Sequence, residues 1–233
     1  FGKWSRPNYN SVVATFCHNI ARNKKVYISN PNSIISLLYI DDLVVKLKEY
    51  TKIGLNKKII NRIKANYKIT LQQLYNKIND FQINRTKKII GKISKGFNKK
   101  LYSTYISFLP KNKITYNIEK KNDPRGSFAE FYKNDDTGQV SFFIAKKGKI
   151  RGHHFHHSKV EKFLVVQGKA IFNMFDISAK KKLSFKLDDK NLKVVESIPG
   201  YQHYIKNVGN SDLIVLLWSN EIFDVKKPDT YKI

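Results

Sequence analysis

A histidine-rich stretch from Gly148 to Gly168 constrains this chain more than any other feature; it reads GKIRGHHFHHSKVEKFLVVQG. His154 and His156 are two residues apart, and Glu161 follows within an alternating apolar run. Residues two apart on a β-strand project to the same face of the sheet, so both imidazoles face one side. The following strand runs back beside the first, so a carboxylate on it can lie next to the two imidazoles. The spacing therefore predicts a strand pair that holds part of a metal site.

A second stretch, PGYQHYIKN, follows further along the chain and contains Gly200, His203 and Asn207. Five of the six histidines lie in these two stretches, and only His18 lies outside them. The plainer alternative is an ordinary strand pair with histidines on its surface, but scattered surface histidines would not cluster in this way. Imidazole and carboxylate ligands suit zinc, iron, manganese or nickel, so these residues alone do not identify the metal.

Together the two stretches resemble the paired signature of the cupin superfamily, in which a small β-barrel holds one metal ion with three histidines and a glutamate. The first stretch fits that signature at every spacing. The second departs from it, because Pro199 directly precedes Gly200 instead of standing one residue further away. The resemblance implies a divalent transition metal, with zinc as the first choice, held by His154, His156, Glu161 and His203.

Composition narrows the classes of protein to which the chain can belong. Cys17 is the only cysteine, so no intrachain disulfide can form and a reducing, cytoplasmic location is expected. No apolar run approaches the roughly 18 to 20 residues of a membrane span. We therefore expect no membrane partner.

The net charge of +26 raises a nucleic-acid hypothesis, because a basic surface attracts phosphate. Only 6 of the 44 basic residues are arginine, however, and the lysines accompany abundant Ile and Asn. No RNP, zinc-finger or helix-turn-helix signature is present. We expect a solvated, lysine-rich surface and no nucleic-acid partner.

Residues 1–110 read as mostly helical. Ser11–Ala21 spaces its apolar residues as a helix with one buried face, and Leu71–Phe81 does the same. Ile34–Ile40 is a β-branched run that predicts a strand. The acidic pair Asp41-Asp42 follows it at the expected N-cap position of another helix.

Pro110 marks a change to strand-like sequence and is the predicted domain boundary. Many short strands at near-regular spacing favour a closed β-barrel or jelly roll. The predicted fold class is α+β, with a mostly helical domain over residues 1–110 and an all-β cupin domain over residues 111–233. The predicted strands are Phe128–Phe131, Val140–Ala145, Phe163–Val166, Ala170–Phe175, Leu183–Leu187, Val194–Ile198 and Leu213–Trp218.

The segment YIDDLV, preceded by FGKW and RPNYNSVVATF, resembles the C-terminal part of an extended short-chain dehydrogenase/reductase domain, an α/β fold. In that family this part closes over a nucleotide-sugar, while a glycine-rich dinucleotide loop and a catalytic Tyr-x-x-x-Lys lie upstream. Neither motif is expected here, and the start at Phe1 suggests a fragment. The resemblance implies that Arg6, Asn8 and Asn10 contact substrate. An inert packing module is the alternative.

Four segments follow one another along the chain: the reductase-like tail, then LYSTYISFLP, then DPRGSFAEFYKND, and then LLWSNEIFDVKKPDT. This order resembles the CapF/WbjC family of capsular-polysaccharide enzymes, which fuse a reductase domain to a C-terminal cupin. In that family the cupin epimerises C3 of a UDP-4-keto-6-deoxy-N-acetylhexosamine, and the reductase domain then reduces the C4 ketone with NADPH. The product, UDP-N-acetyl-6-deoxy-L-talosamine, leads to UDP-N-acetyl-L-fucosamine. The resemblance implies a UDP-sugar substrate, a homodimer through the cupin, and NADPH only for the complete reductase domain.

The same resemblance implies further site residues. Arg125 and Arg151, each followed by glycine, are the expected diphosphate clamps, because a guanidinium matches phosphate oxygens two at a time. Phe128 and Glu130 are expected to line the sugar or uracil pocket. With a metal on its four ligands, the acid and base candidates are His153, His157, Lys162 and Tyr201.

Two alternatives to this mechanism stay open. RGHHFH and DPRGSFAE also resemble the dTDP-4-keto-6-deoxyhexose 3,5-epimerases, cupins without a metal, and His154 would then be the catalytic base instead of a ligand. The other alternative is a non-catalytic remnant that folds and binds a nucleotide-sugar. Epimerisation at C3 is chemically reasonable because C3 lies α to the C4 carbonyl. The site must then supply a base, an acid and stabilisation of the enolate oxygen.

Overall fold

The computed structural model describes residues 1–52 and 63–232. Within these residues the chain forms four α-helices and thirteen β-strands in three sheets, so the predicted mixture of helix and sheet is confirmed. None of the described helices is long and apolar enough to cross a bilayer.

The chain divides into two compact units, Phe1–Tyr116 and Asn117–Ile233, here called the N-terminal and C-terminal units. The sequence predicted a boundary at Pro110, and this division lies between Tyr116 and Asn117. Pro110 is the N-cap of a one-turn 3₁₀ helix, Lys111–Lys113, and this turn still belongs to the N-terminal unit.

The N-terminal unit contains the four helices and one antiparallel strand pair. Its elements are α1 Val12–Ala21, β1 Ile34–Leu37, α2 Ile40–Lys52, β2 Tyr67–Thr70, α3 Leu71–Lys87 and α4 Gly96–Ser107. α1 forms where it was predicted because the Ser11 side chain accepts a hydrogen bond from the Ala14 N–H at 3.2 Å and so caps the helix. Phe16 of α1 and Leu74 of α3 belong to one apolar core, which α4 joins through Tyr105.

α2 begins before the position that its sequence suggested. Asp41 and Asp42 were expected at the N-cap, but the helix starts at Ile40 and both aspartates lie in its first turn. At these positions the two carboxylates interact favourably with the positive end of the helix dipole. They also pair with Lys3 at 2.7 Å and with Lys100 at 2.5 Å, so the N-cap prediction was wrong and the acidic pair has a different stabilising role.

The C-terminal unit is built from strands, and each predicted run overlaps one of them. The strands are β3 Lys120–Asp123, β4 Gly126–Asn134, β5 Gly138–Ala145, β6 Ile150–Phe155, β7 Glu161–Gln167, β8 Lys169–Asp176, β9 Lys182–Asp188, β10 Val194–Glu196, β11 Tyr201–Asn207, β12 Leu213–Ser219 and β13 Tyr231–Lys232. They form two antiparallel sheets with the orders β10-β7-β12-β5-β4-β3 and β13-β6-β11-β8-β9. Val165 of the first sheet and Phe172 and Ile205 of the second share one buried core, so the sheets pack face to face.

A β-bulge in the β6–β11 pair decides which side chains of β6 face inward. His154 pairs with His203, and His153 is the extra residue of the bulge, with a left-handed φ of 64°. In a regular strand, Arg151 and His154 would face opposite sides, because His154 is three positions after Arg151. The bulge lets both line the same cavity.

Candidate metal centre and its cavity

Four side chains from the two histidine stretches converge in the C-terminal unit. His154 lies in β6, Glu161 begins β7, and His203 lies in β11 opposite His154. His156 lies directly after the end of β6. One ligand atom from each residue lies within 4.8 Å of the others. The structure thus brings together all four residues that the sequence proposed as ligands.

Backbone carbonyls hold two of these imidazoles in place. His156 Nδ1 donates to the carbonyl oxygen of Asp229, and His203 Nδ1 donates to that of Tyr201 at 3.3 Å. Because a carbonyl oxygen only accepts, each bond assigns the ring proton to Nδ1 and leaves a lone pair on Nε2. Both Nε2 atoms lie 3.2 Å from Glu161 Oε2.

His156 Nε2 is the atom that best indicates a cation at this point. It is buried and has no hydrogen-bond partner among the described residues, although a carboxylate oxygen lies 3.2 Å away. Buried polar atoms are nearly always paired, and here two lone pairs face each other. Two ligand atoms bound to one zinc at about 2.0 to 2.2 Å stand roughly 3 to 3.5 Å apart. The residues therefore fit a divalent transition metal.

The protonation states favour the same chemistry. Burial lowers the pKa of His154 to about 4, and the neighbouring His203 adds to this effect. Burial alone would raise the pKa of Glu161, but protons on the facing nitrogens of His156 and His203 would hold it well below its usual range, and a bound cation would take the place of those protons. At neutral pH the His154 ring is neutral and Glu161 is charged, and these are the forms in which both side chains bind a metal.

The four residues line a cavity of about 400 Å³ whose walls come from both sheets. This size suits a ligand of moderate size. Lys121, Arg125 and Arg151 line the same cavity and give one part of it a positive charge. Arg151 precedes His154 by three residues on β6, so the Cα atoms of these two residues lie at most roughly 10 Å apart.

The two arginines share one carboxylate. Arg125 Nη2 lies 2.8 Å from Asp123 Oδ2, and Arg151 Nη2 lies 3.3 Å from Asp123 Oδ1. Arg151 also donates from Nε to the Ile144 carbonyl at 3.2 Å, and its guanidinium lies 5.6 Å from the centre of the Phe143 ring. These contacts orient both guanidiniums, and one carboxylate against two cations leaves a net positive charge for an anion.

The two other predicted lining residues also lie in the cavity wall. Phe128 and Glu130 are both on β4, and both line the cavity. Glu130 also forms an ion pair with Lys133. Among the described residues that line the cavity, Glu130 is thus the one carboxylate besides the proposed metal ligand Glu161.

The predicted acid and base candidates do not line the cavity; they are His153, His157, Lys162 and Tyr201. Lys162 follows Glu161 on β7 and so faces the opposite side of the strand, where it pairs with Glu196 at 2.6 Å. A hydrogen bond to Asp176 raises the pKa of Tyr201, away from the neutral range that proton transfer favours. We therefore carry none of the four forward as acid or base.

Sequence reasoning missed Lys159 and the C-terminal segment that closes the site. Lys159 lines the cavity, is only 5% exposed, and donates from Nζ to Thr230 Oγ1 at 2.9 Å. The Asp229 carboxylate accepts hydrogen bonds from the backbone N–H groups of residues 157–159, each at 2.8 Å. The two-residue spacing of Lys159 and Glu161 was a usable signal for the lysine. Asp229 lies 70 residues beyond Lys159, so no local pattern could indicate it.

Arg6, Asn8 and Asn10 lie in the N-terminal unit, on the segment before α1, and all three are exposed. The Asn8 backbone N–H donates to Thr15 Oγ1 at 2.9 Å, and the Arg6 guanidinium lies 5.4 Å from the centre of the Tyr9 ring. These contacts are local to the segment. Substrate contact by the three residues stays a prediction.

One Tyr-x-x-x-Lys spacing does occur, from Tyr116 to Lys120, contrary to the expectation that none is present. Residues four apart share a face only on a helix. Residues 117–119 are not helical, Lys120 begins β3, and Tyr116 is 52% exposed. The spacing therefore does not form the catalytic pair of a reductase.

Known proteins resemble this chain along its length. Residues 121–231 match the family described as the polysaccharide biosynthesis C-terminal domain. The chain is 42% identical over 231 residues to a UDP-2-acetamido-2,6-beta-L-arabino-hexul-4-ose reductase of Pseudomonas aeruginosa. The matched region covers 99% of this chain and 62% of that protein. The fold of this chain matches two crystal structures of the capsular polysaccharide assembling protein CapF from Staphylococcus aureus, with TM-scores of 0.93 and 0.92.

The CapF match covers all of this chain at 38% identity, and it covers 63% and 68% of the two CapF chains. The chain thus spans somewhat less than two thirds of the length of the reductase and about two thirds of CapF. The identity includes the helical and the strand-rich units alike, as the order of motifs predicted. This chain belongs to the CapF family of capsular polysaccharide assembling proteins.

Proposed function

We propose that the C-terminal unit is a cupin that binds a divalent transition metal, with zinc as the first choice, and epimerises C3 of a UDP-4-keto-6-deoxy-N-acetylhexosamine. The observation that carries the proposal is one cavity lined by both a four-ligand cluster and a pair of arginines. The strand orders β10-β7-β12-β5 and β6-β11-β8-β9 within the two sheets support the jelly-roll topology of a cupin.

The name of the Pseudomonas relative supports the substrate class. It describes a UDP-sugar with an acetamido group at C2, no hydroxyl at C6 and a ketone at C4. The ketone acidifies the C–H bond at C3, because the electron pair left by the proton delocalises onto the carbonyl oxygen. In a complete two-activity protein, an NADPH-dependent reductase domain would then reduce that ketone, on the way to UDP-N-acetyl-L-fucosamine.

The arginine pair is placed to bind the diphosphate of such a substrate. Arg125 and Arg151 are oriented by Asp123, and guanidiniums match phosphate oxygens in planar pairs. Arg151 and His154 lie at most roughly 10 Å apart along β6, a distance comparable to a hexose ring plus one phosphate. A diphosphate at the arginines would therefore place the sugar ring beside His154 and Glu161.

The chemistry divides between the metal and the chain. A metal held by His154, His156, Glu161 and His203 would act as a Lewis acid toward a sugar oxygen. Glu130, the cavity carboxylate outside this set, is assigned to take the proton from C3. Phe128, Phe143 and Phe163 line the cavity and exclude water from the ring. Return of a proton to the other face of C3 completes the epimerisation.

The metal-free alternative, with His154 as the base, has less support. A pKa of about 4 makes that imidazole a weak base at neutral pH. A metal-free site also gives no partner to His156 Nε2. A homodimer through the C-terminal unit and a cytoplasmic location stay predictions.

Proton exchange tests the proposal. In heavy water, without any nicotinamide cofactor, the metal-loaded chain should incorporate deuterium at C3 of the UDP-4-keto sugar, as followed by NMR or mass spectrometry. His203→Ala should lower the bound metal and the exchange rate together. His157→Ala, which changes a histidine outside the cavity, should leave both unchanged.

Different outcomes would support different alternatives. Undiminished exchange in His203→Ala, or in wild-type protein stripped of metal, would favour the metal-free mechanism. If folded, metal-loaded protein binds the substrate but exchanges no proton at C3, the chain is better explained as a non-catalytic remnant.

A further inference from the structure

Lys159 is a buried cation that the mechanism above does not use. Its side chain lies in the cavity wall, 5% exposed, where Nζ donates to Thr230 Oγ1 at 2.9 Å and lies 5.9 Å from the centre of the Phe223 ring. An ammonium group has three donors. Both of these partners are neutral, and none of the ion pairs found among the described residues includes Lys159.

The surrounding chain fixes this cation at the metal end of the cavity. The Lys159 backbone N–H donates to the Asp229 carboxylate at 2.8 Å, and the Asp229 carbonyl accepts the hydrogen bond from His156 Nδ1. Thr230, the next residue, holds the ammonium. One short segment, Asp229 and Thr230, therefore positions both a proposed metal ligand and the lysine.

A buried ammonium without a carboxylate costs stability, because it loses its hydration without gaining a counter-ion. A ligand with negative charge would supply the missing counter-ion. The donors of Lys159 that Thr230 does not use are at the cavity wall. The group is thus suited to an oxygen that carries negative charge only when substrate is bound or reacting.

We propose that Lys159 donates a hydrogen bond to the C4 oxygen of the sugar as that oxygen becomes negatively charged; this inference rests on the proposed function. The C3–H bond breaks and its proton passes to the base. The electron pair forms a C3–C4 double bond, and the carbonyl π pair moves to the C4 oxygen. The Lys159 ammonium keeps its proton throughout and stabilises that oxygen by a charge-assisted hydrogen bond.

The test compares Lys159→Met with Lys162→Met. Met keeps the apolar stem and removes the charge, and Lys162 is the matched control because it points away from the cavity and pairs with Glu196. In Lys159→Met, kcat for deuterium exchange at C3 should fall by about 10² to 10³-fold, as for loss of one oxyanion donor, with little change in KM. Its melting temperature should equal or exceed that of wild type. Lys162→Met should leave kcat unchanged.

A third variant, Lys159→Gln, retains a neutral donor and should give an intermediate kcat. Exchange by Lys159→Met at the wild-type rate would overturn the inference while leaving the proposed function intact. A lower melting temperature with activity lost only in proportion to unfolded protein would also overturn it, because that result assigns Lys159 to folding. No exchange by wild-type protein would refute the proposed function, and the inference with it.

Discussion

Asp229 shows how one residue can organise a site from far along the chain. Its carboxylate accepts the N–H groups of residues 157–159, and its own carbonyl accepts the proton of His156 Nδ1. Burial alone would raise the pKa of Asp229, but the three N–H donors hold it well below its usual range. Such a partner behind an imidazole fixes the tautomer and the ring orientation, and so tunes the nitrogen that binds metal.

Asp229→Asn should therefore weaken metal binding. The amide keeps the backbone carbonyl but replaces one acceptor oxygen with an NH₂ group, which cannot accept from the 157–159 turn. We expect the metal dissociation constant to rise by about 10 to 100-fold, as measured by competition with a chromogenic chelator. Asp224→Asn is the control, because Asp224 caps the N–H of Lys226 in a separate turn. Equal affinities in wild type and Asp229→Asn would show that this contact does not position His156.

At the same scale, the four proposed ligands could be found from sequence because they lie in two short, spaced motifs. Part of the reasoning was nevertheless wrong, since β6 ends at Phe155 and His156 lies beyond it. The acid and base candidates were chosen by proximity in sequence, and none of them lines the cavity. Lys162 directly follows Glu161 on β7. Because successive side chains of a strand point to opposite faces, Lys162 points away from the cavity, where it pairs with Glu196.

At the scale of elements, the pairing of β6 with β11 depends on Gly152. Its φ is +102°, and a Cβ there would lie 2.7 Å from the His203 carbonyl oxygen and 2.9 Å from Tyr204 Cα. Only glycine allows the two strands to approach this closely beside the bulge at His153. This approach is what sets His154 opposite His203.

Gly152→Ala should lower the free energy of unfolding of the C-terminal unit by about 1 to 3 kcal/mol or more, through backbone strain and contact with β11. Metal affinity should fall as well, because His154 and His203 are displaced from each other. Gly148→Ala isolates the strain, since Gly148 also has a positive φ, +74°, but no heavy atom within 4 Å of its Cβ position. Urea titration gives both free energies, and equal losses in the two variants would contradict the role given to the close approach.

The strands themselves were predictable, but their register was not. Alternating apolar runs such as Val140–Ala145 carry a local, two-residue period, and β5 forms there. A bulge is an extra residue relative to a partner strand, and the partner of β6 lies about fifty residues away in β11. The same limit applies to β13, whose two residues pair with β6 and whose sequence carries no strand signal of its own.

At the scale of the whole chain, the two units have separate cores. Leu74 and Tyr105 belong to the core of the N-terminal unit, and Phe172 and Val215 belong to the core of the C-terminal unit. All four proposed metal ligands, both arginines and Lys159 lie between residues 117 and 233. The proposed epimerisation therefore needs no described residue of the N-terminal unit.

A fragment of residues 117–233 should accordingly fold by itself and bind about one metal ion with the dissociation constant of the full chain. Its exchange of the C3 proton should match as well, because the cavity walls, β3 to β13, are all retained. A fragment of residues 1–116 is the control and should bind no metal at this affinity. Calorimetry measures the metal dissociation constant, and elemental analysis measures the number of metal ions bound per chain. A 117–233 fragment that melts at a lower temperature than the full chain and binds metal more weakly would contradict this prediction. That result would mean that the C-terminal unit needs residues 1–116 for its stability.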